Sequence, residues 1–232
     1  MQKKVIFPAW DEQIASLIYS NDENELPTAL FLHGGSTAMK DRIKYFAEHF
    51  VERGMPLMAI DFSWHGESTG KLNESSLQKR IHEAHTAMEH MHPEKKLTII
   101  GSSMWWHIAL EMIKTWRVET VILFCPAVYS DESASLQFDG GFTEAIRKEN
   151  SWENSSLFDE LQKFYGRLFI VIGTEDSVIP PGVLAKLIAS ATNVTQKELI
   201  FIPEAWHGIH SWLEAHPDDF SHVRFKLFEH LD

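Results

Sequence analysis

The sequence contains very little cysteine, with Cys125 the only one among 232 residues. A single cysteine cannot form an internal disulfide, so the core must hold the fold, and this usage is typical of a reducing compartment. Cys125 ends the apolar run VILFC at residues 121–125. That position favours a buried structural thiol over a reactive one.

Long apolar segments and clusters of basic residues are also missing. No apolar run is long enough to cross a bilayer, and the first residues, MQKKVIFP, lack the apolar stretch of a signal peptide. Acidic residues outnumber basic ones by 33 to 21, and the net charge of −12 repels phosphate backbones. We therefore expect a cytoplasmic protein that binds a small neutral or cationic molecule, with no nucleic-acid or membrane partner. The oligomeric state stays open.

Short apolar runs alternate with amphipathic helical runs, without an internal repeat. This alternation predicts a mostly parallel sheet covered by helices, in a single domain spanning residues 1–232. Predicted strands cover residues 4–7, 16–19, 29–32, 57–60, 97–100, 121–124, 168–172 and 199–202. The first two flank Asp11 and Glu12 and predict an antiparallel hairpin at one edge of the sheet. Predicted helices cover residues 40–52, 76–91, 105–115, 142–148, 156–164, 182–191 and 218–231. The longest stretch without a strand, residues 129–166, is either a lid-like cover for a site or an ordinary surface connection.

Three polar segments each follow a predicted strand, and the carboxyl ends of parallel strands are where such sheets bind ligands. The sequence IIGSSMW at 99–105 places Ser103 in a sharp strand-to-helix turn and matches G-x-S-x-G up to its last position. GTED at 173–176 places Asp176 in a loop, and AWHG at 205–208 places His207 in another. Taken alone, each has an ordinary alternative: a serine helix cap, a turn acid, or one of 13 histidines.

The chain order of Ser103, Asp176 and His207 is the nucleophile–acid–base order of the α/β-hydrolases. Two further segments fit that pattern: LHGGS at 32–36 is similar to the family's oxyanion loop, and DFSWHGES at 61–68 to its supporting D-x-x-G-H-G-x-S loop. The chain thus resembles the esterase and serine-aminopeptidase-like branch of this superfamily over nearly its full length. The resemblance implies the α/β-hydrolase fold, a mostly parallel sheet of about eight strands with helices on both faces.

The resemblance also implies roles for particular residues. Ser103 attacks the substrate, His207 is the base, Asp176 orients His207, and the amides of Gly35 and Met104 form the oxyanion hole. It implies neither cofactor nor metal. The expected activity is hydrolysis of a small carboxylic ester through an acyl-enzyme. A thioester, an amide or a peptide substrate is the alternative within this fold.

The sequence departs from the family pattern by placing tryptophan where small residues are usual. Trp64, Trp105 and Trp206 stand at such positions, and Trp106 follows in the turn that carries the nucleophile. Overpacking of this kind costs roughly 1–3 kcal/mol or moves the backbone. The indoles either fill a pocket in an unusual natural enzyme or are introduced substitutions. If they disturb the turn, the protein is a non-catalytic binding protein of the same fold.

Overall fold

A computed structural model of the chain describes residues 1–35, 38–92 and 94–229. Ser36, the last residue of the predicted oxyanion loop, and Leu231, the end of the last predicted helix, lie outside the described residues.

The strands form one sheet in the order β1-β2-β4-β3-β5-β6-β7-β8. The strands are β1 Gln2–Ala9, β2 Glu12–Tyr19, β3 Ala29–Leu32, β4 Leu57–Ile60, β5 Leu97–Ser102, β6 Val118–Phe124, β7 Arg167–Gly173 and β8 Gln196–Ile202. The hairpin of β1 and β2 joins β4 in antiparallel pairing at one edge, and the pairings from β4 through β8 are parallel. The expected mostly parallel eight-stranded sheet is confirmed, including its antiparallel edge.

The central strands are apolar at successive positions because both of their faces are covered. Every residue of β3 (ALFL), β4 (LMAI) and β5 (LTIIGS) is buried. A strand buried on both faces cannot alternate polar with apolar side chains, so its sequence reads as a short continuous apolar run. The edge strand β8 (QKELIFI) is partly exposed and carries polar residues.

The helices form two groups that flank the sheet. They are α1 Lys44–Glu52, α2 Leu77–Glu89, α3 Trp106–Ile113, α4 Phe142–Ile146, α5 Leu157–Lys163, α6 Pro181–Ser190, α7 Ile209–Ala215 and α8 Pro217–Phe228. Helices α2, α3, α5 and α6 contact one another in series, whereas α7 packs on α8. Helix α1 joins α8 through the Phe46 ring, which lies 5.1 Å from that of Phe220. Among the described residues, no helix has the length and apolar character needed to cross a membrane.

The helices of the structure differ from the predicted ones at two places. The single helix predicted at 40–52 is a 3-10 turn, Lys40–Ile43, followed by α1. Helix α7, Ile209–Ala215, was not predicted at all. Its start has no side-chain cap, and its stability comes from burying Ile209, His210 and Leu213. A helix of this kind depends on packing rather than on local propensity, so it leaves little trace in the sequence.

The excursion at 129–166 lies against the start of α2. It contains a 3-10 turn, Asp131–Ser135, and the helices α4 and α5. The amide of Phe138 donates a hydrogen bond to the Ser75 carbonyl at 3.0 Å. This contact ties the middle of the excursion to the body of the protein.

Candidate active site

Ser103 lies in the turn between β5 and α3 with a backbone φ of +54°. Few residues other than glycine adopt this left-handed conformation, and those that do are often found at functional sites. The close approach in the turn falls on Gly101, where an added Cβ would lie 3.2 Å from the Trp106 Cα. A side chain at residue 101 would therefore push against the backbone of Trp106, so glycine fits best at this position.

The fold brings the three sequence-predicted residues into one hydrogen-bonded chain. Ser103 Oγ lies 2.8 Å from His207 Nε2. His207 Nδ1 lies 2.8 Å from Asp176 Oδ2. The serine and the histidine are 104 positions apart in the sequence, so only the packing of β5 beside β6, β7 and β8 makes them neighbours.

The loop after β7 holds Asp176 as a carboxylate. Its Oδ1 accepts hydrogen bonds from the amides of Val178 at 2.9 Å and Ile179 at 3.1 Å. Burial by itself would raise the pKa of Asp176, but the hydrogen bond and charge of His207, together with the two amides, lower it. The side chain therefore stays ionised and can fix the orientation of the imidazole.

Gly35 and Met104, the two residues expected to form the oxyanion hole, lie next to each other. A Cβ built on Gly35 would lie 3.8 Å from the Met104 Cε. Met104 lies in the first turn of a helical segment, where amides lack acceptors within the helix. His33 supports the loop: its Nδ1 donates to the Gly34 carbonyl at 2.6 Å, and its Nε2 accepts from the Phe62 amide at 3.2 Å.

Two cavities meet at Gly35 and Met104. The larger, of about 450 Å³, contains Ser103 and His207 in its wall. The smaller, of about 150 Å³, is largely apolar, and His207 does not line it. Its side chains from the excursion are Phe138, Phe142, Thr143 and Ile146.

The four unusual tryptophans fall into two classes. Trp105 and Trp106 are fully buried. The ring of Trp105 lies 4.4 Å from that of Phe62, and the indole also lines the smaller cavity. Trp64 and Trp206 are 44% and 54% exposed, and each borders one of the two cavities. The indoles after Ser103 therefore belong to the core, and Ser103 in the turn before them lies 2.8 Å from His207.

A second serine–histidine pair lies beside the first, and sequence reasoning missed it. His210 Nε2 lies 3.0 Å from the Ser102 Oγ. The Tyr45 hydroxyl lies 2.9 Å from His210 Nδ1. Burial, followed by the charge of Arg42, lowers the pKa of His210 to about 3. Two features of the sequence could have indicated this pair: the doubled serine at 102–103, and His210 three residues after His207.

Cys125 is buried, as the sequence indicated, but it lies against the acid. Ligand atoms of Cys125, Asp176 and His207 all fall within 4.8 Å of one another. Burial, followed by the negative charge of Asp176, raises the pKa of the Cys125 thiol, which donates a hydrogen bond to that carboxylate. A metal needs the thiolate rather than a thiol held protonated. We therefore interpret this cluster as part of the serine–histidine–aspartate chain.

The loop at 61–68 is a supporting element. Asp61 accepts hydrogen bonds from the amides of Lys40 at 2.7 Å and Glu67 at 3.1 Å, and the Lys40 ammonium pairs with the same carboxylate. Gly66 has a φ of +51°, and any Cβ there would collide with Asp61. Ser68 donates to the Asp61 carbonyl at 2.6 Å, so it is engaged in holding the loop.

Comparison with known proteins agrees with this architecture. Residues 27–149, more than half of the chain, match the family described as serine aminopeptidase, S33. No curated protein matches the chain by sequence at a significant level.

Solved structures of similar fold include three with different described activities. A thioesterase domain from the curacin biosynthetic pathway has a TM-score of 0.71 at 13% identity, covering 95% of this chain and 98% of its own. A putative hydrolase from Agrobacterium vitis S4 has a TM-score of 0.70 at 20% identity, covering 100% and 99%. An esterase from Pyrococcus furiosus has a TM-score of 0.69 at 18% identity, covering 97% and 90%. At such identities these likenesses show the α/β-hydrolase fold alone. Together with the family match, they show that this chain is a member of the serine aminopeptidase S33 family of α/β-hydrolases.

Proposed function

We propose that this protein is a serine hydrolase that cleaves small carboxylic esters through an acyl-enzyme. The observation that carries the proposal is the continuous hydrogen-bonded chain from Ser103 through His207 to Asp176, which opens onto a cavity of about 450 Å³. Neither buried indole after the serine interrupts that chain.

In the first half of the reaction, Ser103 Oγ attacks the ester carbonyl carbon while His207 Nε2 accepts the hydroxyl proton. The carboxylate of Asp176 keeps the proton of neutral His207 on Nδ1 and stabilises the imidazolium that forms. The carbonyl oxygen becomes an oxyanion held by the amides of Gly35 and Met104, an interaction in which one lost donor costs roughly 10²–10³ in rate. The tetrahedral intermediate collapses, and the alcohol leaves with the proton from His207.

In the second half, water attacks the acyl group bound to Ser103. His207 accepts a proton from the water and then returns it to the serine oxygen as the carboxylic acid is released. The balance is one ester and one water consumed, and one acid and one alcohol released. No group besides the chain's own residues is needed.

The two cavities suggest where each half of the ester binds. The leaving alcohol must lie on the side of His207, because that residue protonates it. The acyl group then extends past Gly35 and Met104 into the apolar cavity of about 150 Å³. This cavity is much smaller than the one of about 450 Å³ that contains His207, so a short acyl chain is expected.

A serine-directed fluorophosphonate probe tests the nucleophile. We expect labelling of the wild-type protein, loss of labelling in Ser103→Ala, and normal labelling in the matched control Ser102→Ala. A folded wild-type protein that takes up no probe would refute the proposal and favour a non-catalytic binding protein.

A series of p-nitrophenyl esters tests the substrate. We expect kcat/KM to be highest for acetyl to butyryl chains and to fall for octanoyl and longer chains. Matching acyl thioesters and p-nitroanilides, assayed in parallel, rank ester against thioester and amide cleavage. A preference for long acyl chains would contradict the assignment of the small cavity.

A further inference from the structure

Arg42 lies in the wall of the larger cavity together with Ser103 and His207. It is the one Lys, Arg, Asp or Glu among the described residues that line this cavity. The residue belongs to the 3-10 turn Lys40–Ile43, which precedes α1. A permanent positive charge in the wall of a reaction cavity needs an explanation.

The Arg42 guanidinium has N–H donors with which it could bind a ligand. Arg42 Nη1 donates to the Ser211 Oγ at 2.8 Å. Its nearest carboxylate, Glu214 Oε2, lies 3.9 Å away, which is too far for a hydrogen bond. A guanidinium carries five N–H donors, and the Arg42 side chain is 34% exposed. Among the described residues, the charge is therefore anchored by one hydrogen bond and only weakly compensated.

Two contacts link Arg42 to the residue beside the nucleophile. Ser211, which anchors the guanidinium, follows His210 in α7. His210 in turn bonds Ser102, the neighbour of the nucleophile. Burial is the main cause that lowers the pKa of His210, and the positive charge of Arg42 lowers it further. The guanidinium is thus connected to the serine turn through a short chain of contacts.

We infer that Arg42 binds a carboxylate on the leaving-group side of the substrate. The natural substrates are then esters whose alcohol or phenol half carries a carboxylate. This inference rests on the proposed function and specifies its substrate class. The leaving group is the half concerned because Arg42 and His207 share one cavity, whereas the apolar cavity past Met104 has neither. A planar guanidinium matches a carboxylate in bidentate geometry. The net charge of −12 means that the protein as a whole repels anions. The attraction of Arg42 for a carboxylate is therefore confined to the cavity.

Matched aryl acetates test the inference. We would compare kcat/KM for 4-acetoxybenzoate and neutral 4-acetoxybenzamide, and for the 3-substituted pair, each divided by its rate of alkaline hydrolysis. We expect the anionic ester to be preferred about tenfold in at least one pair, the effect of one charge-assisted hydrogen bond. The preference should fall as ionic strength rises, because salt screens the charge.

Substitutions then assign the preference to one residue. Arg42→Gln should abolish the preference, measured as the ratio of the two kcat/KM values within the variant, and Arg42→Lys should keep part of it. Glu214→Gln, which removes the nearest competing carboxylate, should increase it. Arg53→Gln is the matched control, since Arg53 caps α1 and donates to the His49 carbonyl away from this cavity.

The outcomes separate the two proposals. If the neutral esters are cleaved and labelling requires Ser103, but no anionic preference exists or Arg42→Gln leaves it unchanged, the inference is wrong and the hydrolase assignment stands. If no ester is cleaved and the fluorophosphonate does not label the folded protein, the hydrolase assignment fails and the inference with it. Thermal melts of the Arg42 variants show whether a lost preference merely reflects lost structure.

Discussion

Two serine–histidine pairs line the same cavity, and their serines are adjacent in the sequence. Ser103 lies 2.8 Å from His207, and Ser102 lies 3.0 Å from His210. In geometry alone the two pairs are nearly equivalent. Their chemistry is not, and the difference lies in what stands behind each imidazole.

The Nδ1 atom of His207 bonds a carboxylate, whereas the Nδ1 atom of His210 bonds a phenol hydroxyl. Asp176 carries a negative charge that stabilises an imidazolium. Tyr45 carries none, since burial holds the pKa of its hydroxyl well above the usual value. Burial, followed by the positive charge of Arg42, lowers the pKa of His210 to about 3. So weak a base cannot take a proton from a serine at neutral pH.

The comparison shows that proximity of serine and histidine does not define a nucleophile. The partner of the histidine and its access to solvent decide whether the imidazole can charge. The same turn therefore supplies one candidate nucleophile, Ser103, and one structural hydroxyl, Ser102. Each of the following experiments asks how far the two pairs really differ.

The largest expected effect comes from replacing each serine in turn by alanine. Ser103→Ala should reduce kcat for p-nitrophenyl acetate by roughly 10⁶-fold, as for other serine hydrolases that lose their nucleophile. Ser102→Ala should retain activity within about tenfold, because its hydroxyl only bonds a neutral imidazole. Stopped assays on both folded variants give the comparison. The reverse pattern would make Ser102 the nucleophile and overturn the assigned register.

The next effect concerns the groups behind the imidazoles. Asp176→Asn should lower kcat by roughly 10⁴-fold, because the amide cannot stabilise charged His207 and favours the wrong tautomer. Tyr45→Phe, the matching change behind His210, should alter kcat by less than about tenfold. Glu175→Gln is the sequence-neighbour control and should also have little effect. Similar losses from all three changes would remove the distinction between the pairs.

Both pairs share the turn that the buried indoles support, so opening that turn should harm the whole protein. Trp105→Ala should lower the free energy of unfolding by about 3–5 kcal/mol, the usual result of truncating a buried tryptophan. Trp206→Ala, at an exposed indole, should lower it by less than about 1 kcal/mol. Denaturant titrations measure both values. A stabilised Trp105→Ala protein would show that the indole overpacks the turn after all.

The smallest effect is a change in acid stability attributable to His210. Its pKa is about 3 in the folded chain against an ordinary 6.5, so between these values the unfolded chain binds a proton that the folded chain refuses. The stability from neutral His210 is complete above pH 6.5 and is lost as the pH falls towards 3. His210→Gln should therefore reduce the stability difference between pH 6.5 and pH 5 by up to about 2 kcal/mol. An unchanged difference would mean that His210 is not buried in its neutral form.

Much of the fold could be predicted because the central strands are short, apolar and regularly spaced. Each of the three candidate catalytic residues follows such a strand, so locating β5, β7 and β8 located Ser103, Asp176 and His207 as well. The distances between them could not be predicted, since they depend on the order of strands in the sheet.

The missed features share a physical cause. Helix α7 has no strong cap and forms because Ile209, His210 and Leu213 are buried against the rest of the protein. Without that helix, neither the partner of Ser102 nor the anchor of Arg42 could be foreseen.

The sequence by itself determined the strand pattern, the antiparallel edge and the chain order of the three candidate catalytic residues, because each is written in local periodicity and turn chemistry. Only the tertiary structure decided which serine meets which histidine, where the indoles of Trp105 and Trp106 point, and that Arg42 enters the cavity. Those contacts join residues 104, 108 and 169 positions apart. No local pattern specifies such pairs, since they form only when the sheet and its two groups of helices pack together.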